Sequence, residues 1–347
     1  MISYCDWAEV KARMAQFWNR EELDRCCCSI RVTEKKAVSG KGHFYFDAKR
    51  ADQEHRSLFA KQTYFGEAFP CIFPYFGTAG IAEYTGCKAN RTPETVWFEP
   101  WMEEPDAEQI TYLHPEAFDR QKDTIRELLE LSRGEYPVSV TDNAGVMDAL
   151  AAIRGTDNLL MDMITDPEFV EEALQKLLPI YKQTEEELFD LVKENNEGTV
   201  LSWMQLWAPG RMAQMQCDMS VMISPEMFNR FVMPELEELC DFLDVPVYHF
   251  DGQEQIRHLD SLLSLRKLRA IQWTPVEGQP LTSEFIPVLQ KIQKAGKNLI
   301  LFPKPHEVEK LLDHLSSTGL HLKIDGVQTV AEAEEVMELI EKHSKCR

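Results

Sequence analysis

Positive charge is scarce in this sequence: 37 Lys and Arg face 58 Asp and Glu, a formal net charge of -21. Such a chain repels a phosphate backbone and, at longer range, an anionic membrane surface, which argues against nucleic acid and membrane as partners. No run of 18 uninterrupted apolar residues occurs, so no membrane span is expected. The N-terminal stretch sets Asp6, Glu9, Lys11 and Arg13 where a secretory leader needs an apolar core, and a cytoplasmic enzyme is expected. The nine cysteines include no CxxC pair, so the disulfide framework of a small secreted domain is absent. Walker, Gly-rich phosphate, GxSxG and HExxH motifs are also missing, which removes the chemistries those motifs carry.

What remains is an ordinary globular balance, 44% apolar and 27% charged, which names no chemistry. At 347 residues the chain has the length of one (β/α)8 barrel with insertions. It shows no Pro-, Gly- or Ser-rich linker, no repeat and no low-complexity tract, so residues 1-347 read as one domain, a helical preface over 1-25 and a TIM barrel over 26-347.

The spacing of Trp7, Val10, Met14, Phe17 and Trp18 predicts the N-terminal helix. Beyond it, short apolar runs alternate with amphipathic segments, the pattern of parallel strands joined by helices. Strands are expected at 26-32, 70-76, 95-98, 137-141, 199-205, 246-250, 270-273, 299-302 and 320-324. That is one more than a barrel takes, and 95-98 reads as an outlying ribbon. Helices are expected at 116-132, 167-195, 225-243, 283-295, 305-315 and 330-343. Ser224-Pro225-Glu226 and Asp166-Pro167-Glu168 each supply a cap, a first-turn proline and an acid at the positive end of the helix dipole. The stretch 29-66, with its Ser39-Gly40-Lys41-Gly42 turn, reads as an irregular lid or rim. Cys26, Cys27 and Cys28 read as small apolar residues of a first strand, with a metal or redox role as the alternative.

In a (β/α)8 barrel the strand endings converge on one mouth, and chemistry is sought there. Those endings supply Tyr75, Asp142, Asn143, Trp203, Trp207 and Trp273 as candidate substrate-binding residues. His249 and Asp251, two positions apart on a strand, face the same side; they can share a metal ion or act as an acid–base pair, or form a core histidine followed by an Asp-Gly turn. Asp325 repeats the Asp-Gly ending after the last strand and joins them as third candidate catalytic residue, with helix or turn capping as its other role. Trp203 and Trp207 offer stacking faces for a flat ligand, or core packing. His249, Asp251 and Asp325 together suit zinc or another first-row divalent metal, with Cys217 as reserve ligand.

These residues carry a resemblance. Met222-Ile223-Ser224-Pro225-Glu226-Met227-Phe228 through Pro234, the Tyr248–Gly252 strand end, Lys291–Leu301 and Thr95-Val96-Trp97-Phe98-Glu99-Pro100 resemble the uroporphyrinogen decarboxylase superfamily, which includes cobalamin-dependent methyltransferases. True decarboxylases carry an RQAGRY-type loop after the first strand to bind propionates; this chain has Arg31-Val32-Thr33-Glu34-Lys35-Lys36 there. A substrate with many carboxylates is hard to hold without those arginines on so acidic a chain. The methyltransferase branch binds zinc through His-x-Cys and a later Cys. Here His249 matches the His, while Asp251 and Asp325 stand where the thiolates would be. The resemblance implies methyl transfer between a small methylated substrate and a corrinoid supplied by a partner protein. The alternatives are a decarboxylase and a non-catalytic corrinoid- or tetrapyrrole-binding protein, and homodimerisation stays open.

Overall fold

The computed structural model describes residues 5-33 and 43-346, so the expected turn at Ser39–Gly42 lies outside the described residues. Among the described residues there are eleven strands: β1 (Cys27–Thr33), β2 (Gln62–Gly66), β3 (Lys88–Arg91), β4 (Val96–Glu99), β5 (Thr199–Leu201), β6 (Leu206–Ala208), β7 (Met212–Met215), β8 (Val245–Phe250), β9 (Ala270–Trp273), β10 (Asn298–Leu301) and β11 (Leu320–Ile324). The α-helices are α1 (Trp7–Asn19), α2 (Ala48–Phe59), α3 (Gly80–Tyr84), α4 (Pro115–Ser132), α5 (Val146–Arg154), α6 (Thr156–Thr165), α7 (Pro167–Asn196), α8 (Pro225–Met227), α9 (Met233–Phe242), α10 (Leu259–Ser264), α11 (Ile286–Lys294), α12 (Val308–His314) and α13 (Val330–His343). A π-helical turn over Phe228–Val232 joins α8 to α9.

Seven strands form one sheet in the order β2-β1-β11-β10-β9-β8-β7, parallel throughout except for the β1–β2 pair. The expected ring of eight parallel strands appears as this largely parallel sheet; a continuous closed ladder is not what the structure shows. The segments 70-76 and 137-141 meet through a single parallel bridge, Ile72 with Val138, and Val140 N bonds Val200 O. Pro70, Pro74 and Pro137 withhold the backbone donors that a ladder would use. The expected strand at 199-205 shortens to β5, which pairs antiparallel with β6 in a separate hairpin. The ribbon expected at 95-98 is β4, paired with β3 outside the main sheet.

Side-chain alternation divides the sheet into two faces. Cys28, Ile30, Tyr248, Phe250, Ile271, Leu299 and Leu322 pack outward against the helices. Cys27, Met212, Val245, Val247, Ala270 and Ile300 pack inward, together with Met14, Phe17 and Trp18 of α1. Helix α1 covers the end where the strands begin. Asn298 Nδ2 donates to Phe17 O at 3.1 Å, Arg20 donates to Lys297 O at 2.9 Å, and Arg269 donates to Trp18 O at 2.5 Å. The C-terminal ends of the strands therefore stay free of α1, and the inward rows Val245-Val247-His249 and Ala270-Gln272 run toward them.

Cys26, Cys27 and Cys28 are fully buried, and burial pushes the Cys26 thiol up to about 12 and the other two well above their ordinary value, so all three are protonated apolar fillers. Beside them, Glu67 binds Arg25 through both carboxylate oxygens, at 2.9 and 3.0 Å, and accepts from Cys28 N at 2.7 Å.

Candidate active site

The site is built where β7, β8, β9 and the segment 137-141 end. His249 and Gln272 are register partners, so their side chains share the inward face. His249 Nδ1 lies 2.6 Å from Gln272 Oε1, and Thr274 Oγ1 lies 3.1 Å from the same nitrogen and donates to Gln272 Oε1 at 3.2 Å. An amide oxygen only accepts, so Nδ1 carries the proton in this arrangement and Nε2 is left for the mouth. The Gln272 amide nitrogen is buried and has no partner.

Trp203 stands edge-on to His249, 5.4 Å between centroids at 85°, and edge-on to Phe302 at 5.7 Å. Its indole nitrogen donates to Gln214 Oε1 at 2.6 Å; Gln214 donates to Gln216 Oε1 at 2.7 Å, and Gln216 to Asp218 Oδ1 at 3.1 Å. This polar chain continues the inward row of β7. The loop from Asp142 to Gly145 abuts it so closely that a Cβ on Gly145 would lie 2.0 Å from Gln216 O, which reserves that position for glycine.

Acids gather around this site, and Asp142 and Asp218 act on the imidazole directly. Asp142 accepts from Ala144 N at 2.8 Å, yet burial pushes its carboxyl up to about 6, and the neighbouring His249 offsets that in part. Burial, with Asp218 beside it, takes Asp148 up to about 7, although Asp148 Oδ1 accepts from Asp218 N at 2.9 Å. Asp218 is itself raised, by burial first and by Asp251 next to it, while His249 pulls it back. Glu185 of α7 accepts from Asn143 Nδ2 at 2.7 Å and is pushed by burial up to about 7. Farther out, Glu235 is buried and raised well above its ordinary value. Sequence reasoning reached Asp142, Asn143, Trp203, His249 and Asp251 but missed Gln214, Gln216, Asp218, Asp148, Glu185, Gln272 and Thr274.

Trp207 and Trp273 lie elsewhere. Trp207 donates its indole N–H to Asn196 O at 3.0 Å and meets Trp7 at 6.3 Å, at the α1 end of the sheet. Trp273 is on the outward face, stacked on Phe250 at 5.2 Å and tilted against Phe285 at 4.9 Å. Tyr75 packs on the ring of His43 at 3.9 Å and lines a cavity of about 250 Å³ with Phe44, His55 and Phe73. Asp325 is exposed and pairs with Lys323, whose ammonium lies 4.7 Å from the Phe302 ring centre.

The donor set expected for a metal is therefore dispersed. Among the described residues, the one group of three ligand side chains whose donor atoms fall within 4.8 Å of one another is Glu309, Asp313 and His343, on α12 and α13. Asp325 is committed to Lys323 and the Cys217 thiol is held protonated by burial, while His249 keeps Nε2 free. His249, Asp251 and Asp325 as arranged here do not fit a three-ligand zinc site.

An open cleft of about 490 Å³ leads down to Asp148 and Asp218 between the β3–β4 ribbon and α5. Trp97 and Met222, 68% and 51% exposed, stand among its walls. Ala79 and Ala144 line it with backbones in the left-handed region, φ +58° and +54°, a conformation that costs a non-glycine residue about 1 kcal/mol and concentrates at functional sites.

No family model and no curated protein matches the chain. Among solved structures it is similar to a methyltransferase from Methanosarcina mazei, with a TM-score of 0.59 and 11% identity over 96% of this chain and 98% of that one. At that identity the likeness is one of fold, and it extends over nearly the whole of both chains.

Proposed function

We propose that this chain is a methyltransferase that moves a methyl group between a small methylated compound and a corrinoid carried by a partner protein, on a fold that completes a (β/α)8-type barrel through the segments 70-76 and 137-141. The observation that carries the reading is an imidazole fixed in one tautomer at the strand ends, beside carboxyl groups that burial raises, in a fold shared with a methyltransferase.

The chain's own residues supply binding and proton handling. A carboxyl group near 6 or 7 is poised to take up and release a proton around neutral pH, as a general acid toward a neutral heteroatom that parts from methyl must be. His249 Nε2 and Asp142 are the pair best placed for this, with Asp218 and Asp251 beside them. Trp203 and Phe302 wall the imidazole and exclude water from it. The corrinoid, as cargo of the partner, supplies the cobalt that takes or gives the methyl group. No step runs through a metal bound by His249, Asp251 and Asp325.

The test is spectral. Purified protein, reduced cob(I)alamin and a panel of methylated amines, ethers and thioethers should yield the methylcobalamin spectrum with at least one donor, and His249→Ala should abolish it. Donor binding without any spectral change in the wild type would instead assign the mouth to ligand holding.

A further inference from the structure

The cleft above Asp148 and Asp218 is chemically one-sided. Its lining contains two carboxylates, the indole of Trp97, the ring of Phe98 and the thioethers of Met219 and Met222, and no basic side chain. Among the described residues no Lys or Arg nitrogen lies within ion-pair distance of Asp142, Asp148, Asp218 or Asp251, and His249 acts on Asp142 and Asp218. Asp148 spends Oδ1 on the backbone N–H groups of Asp218 and Met219, at 2.9 and 3.5 Å, while its buried Oδ2 has no partner. Asp218 spends Oδ1 on Gln216.

A pair of carboxyl groups with no basic side chain beside it gains from a ligand that brings positive charge. The walls decide which cation. A small hard ion such as magnesium takes oxygen ligands and keeps its waters, and rings and thioethers offer it nothing. A large, weakly hydrated organic cation gains from an indole face and from polarizable sulfur. We propose that the cleft binds a compact organic cation bearing methyl groups, a quaternary or protonated methylated amine, seated with its charge toward Asp148 and Asp218 and its methyl groups against Trp97, Met219 and Met222. This names the substrate class of the methyl transfer proposed above and rests on that reading for its role in the reaction, but not for the binding itself; such a donor leaves as the neutral amine once its C–N bond breaks and the methyl passes to cob(I)alamin, so for it the carboxyl groups act as counter-charge and not as general acid.

Choline and its uncharged carbon isostere 3,3-dimethylbutan-1-ol, titrated calorimetrically into the full chain, isolate the charge. Choline is expected to bind at least about tenfold more tightly, the ratio that a partly desolvated cation–π and carboxylate site provides. Asp218→Asn should remove most of that preference and leave the isostere unchanged. Because Asp218 also accepts from Gln216, Trp97→Ala serves as the second variant; its side chain is 68% exposed, so the fold survives and choline affinity should fall severalfold. Equal affinity for the two compounds, or a preference that survives both substitutions, overturns the proposal. Choline binding with no methyl transfer to cob(I)alamin from any donor would sink the methyltransferase reading alone. Transfer from neutral ethers or thioethers with no choline preference would sink the cation alone.

Discussion

Glu185→Gln should stabilise the protein at pH 8 and leave it almost unchanged at pH 4.5. Glu185 is 6% exposed on the inward side of α7, and burial lifts its carboxyl from the ordinary 4.5 to about 7, with Asp142 adding to the rise. The folded state thus holds the proton more tightly than the unfolded chain does. The associated stability is fully present below pH 4.5, declines as pH rises, and is gone above pH 7. A displacement of about two and a half pH units at about 1.4 kcal/mol each is about 3 kcal/mol, an upper bound that relaxation and water entry reduce. Glutamine keeps an oxygen for the 2.7 Å bond from Asn143 Nδ2 and carries no charge at any pH. Urea unfolding at pH 4.5, 6, 7 and 8 should therefore show a wild-type-to-variant difference that is near zero at the acid end and grows to about 2 to 3 kcal/mol at the alkaline end. Asp142 and Asp148 titrate in the same direction in both proteins, so the difference isolates Glu185. A difference that does not change with pH, or a variant less stable at pH 8, would refute the claim that this carboxyl is held near neutrality by burial.

Three further outcomes are expected. Gln272→Leu should leave His249 Nδ1 with only the Thr274 hydroxyl, which can donate as well as accept; nitrogen NMR should then report a mixed tautomer and methyl transfer should fall by about a hundredfold, whereas unchanged tautomer signals would count against the positioning role. Glu67→Gln, which strips the counter-charge from buried Arg25 and from Arg13, should cost about 3 to 5 kcal/mol in urea unfolding. Trp207→Ala should lower stability by a similar amount through loss of packing against Trp7 and of the indole bond to Asn196 O, while the Michaelis constant of the folded fraction stays within about twofold; a large rise would return Trp207 to the ligand site.

The parallel strands β8 to β11 were legible because their runs are apolar, rich in Val, Ile, Leu and Phe, and bounded by polar loops, and α4, α7 and α13 because long apolar periodicity and capping agree. β7 was not. Met-Ala-Gln-Met has no β-branched residue, so local preference is silent and the strand exists through its pairing with β8. The helix expected over 225-243 is a helical run with a π turn in its middle, a deviation of one extra residue that side-chain periodicity does not encode. The stretch taken as an irregular lid contains α2, whose polar surface hides a narrow buried stripe of Ala48, Ala51 and Phe59.

The site was half legible for a reason of parity. A strand end says that a residue is near the mouth but not which face it takes, and that face is fixed by register with the neighbouring strand. His249 pairs with Gln272, which turns both inward and sends Phe250 and Trp273 outward to the helices; the larger, more conspicuous residue was chosen from the sequence and the smaller amide does the positioning. The same period was present, unread, in Met212, Gln214, Gln216 and Asp218, four alternate positions of which three are polar inside an otherwise apolar segment. Buried polar side chains at alternate positions of a strand need partners. Each of these finds its partner in the next, ending on an acid beside His249. That alternation is a stronger signal of a chemical site than a tryptophan at a strand end, because an indole is stable in any core and a row of amides is stable only where something polar is meant to be held.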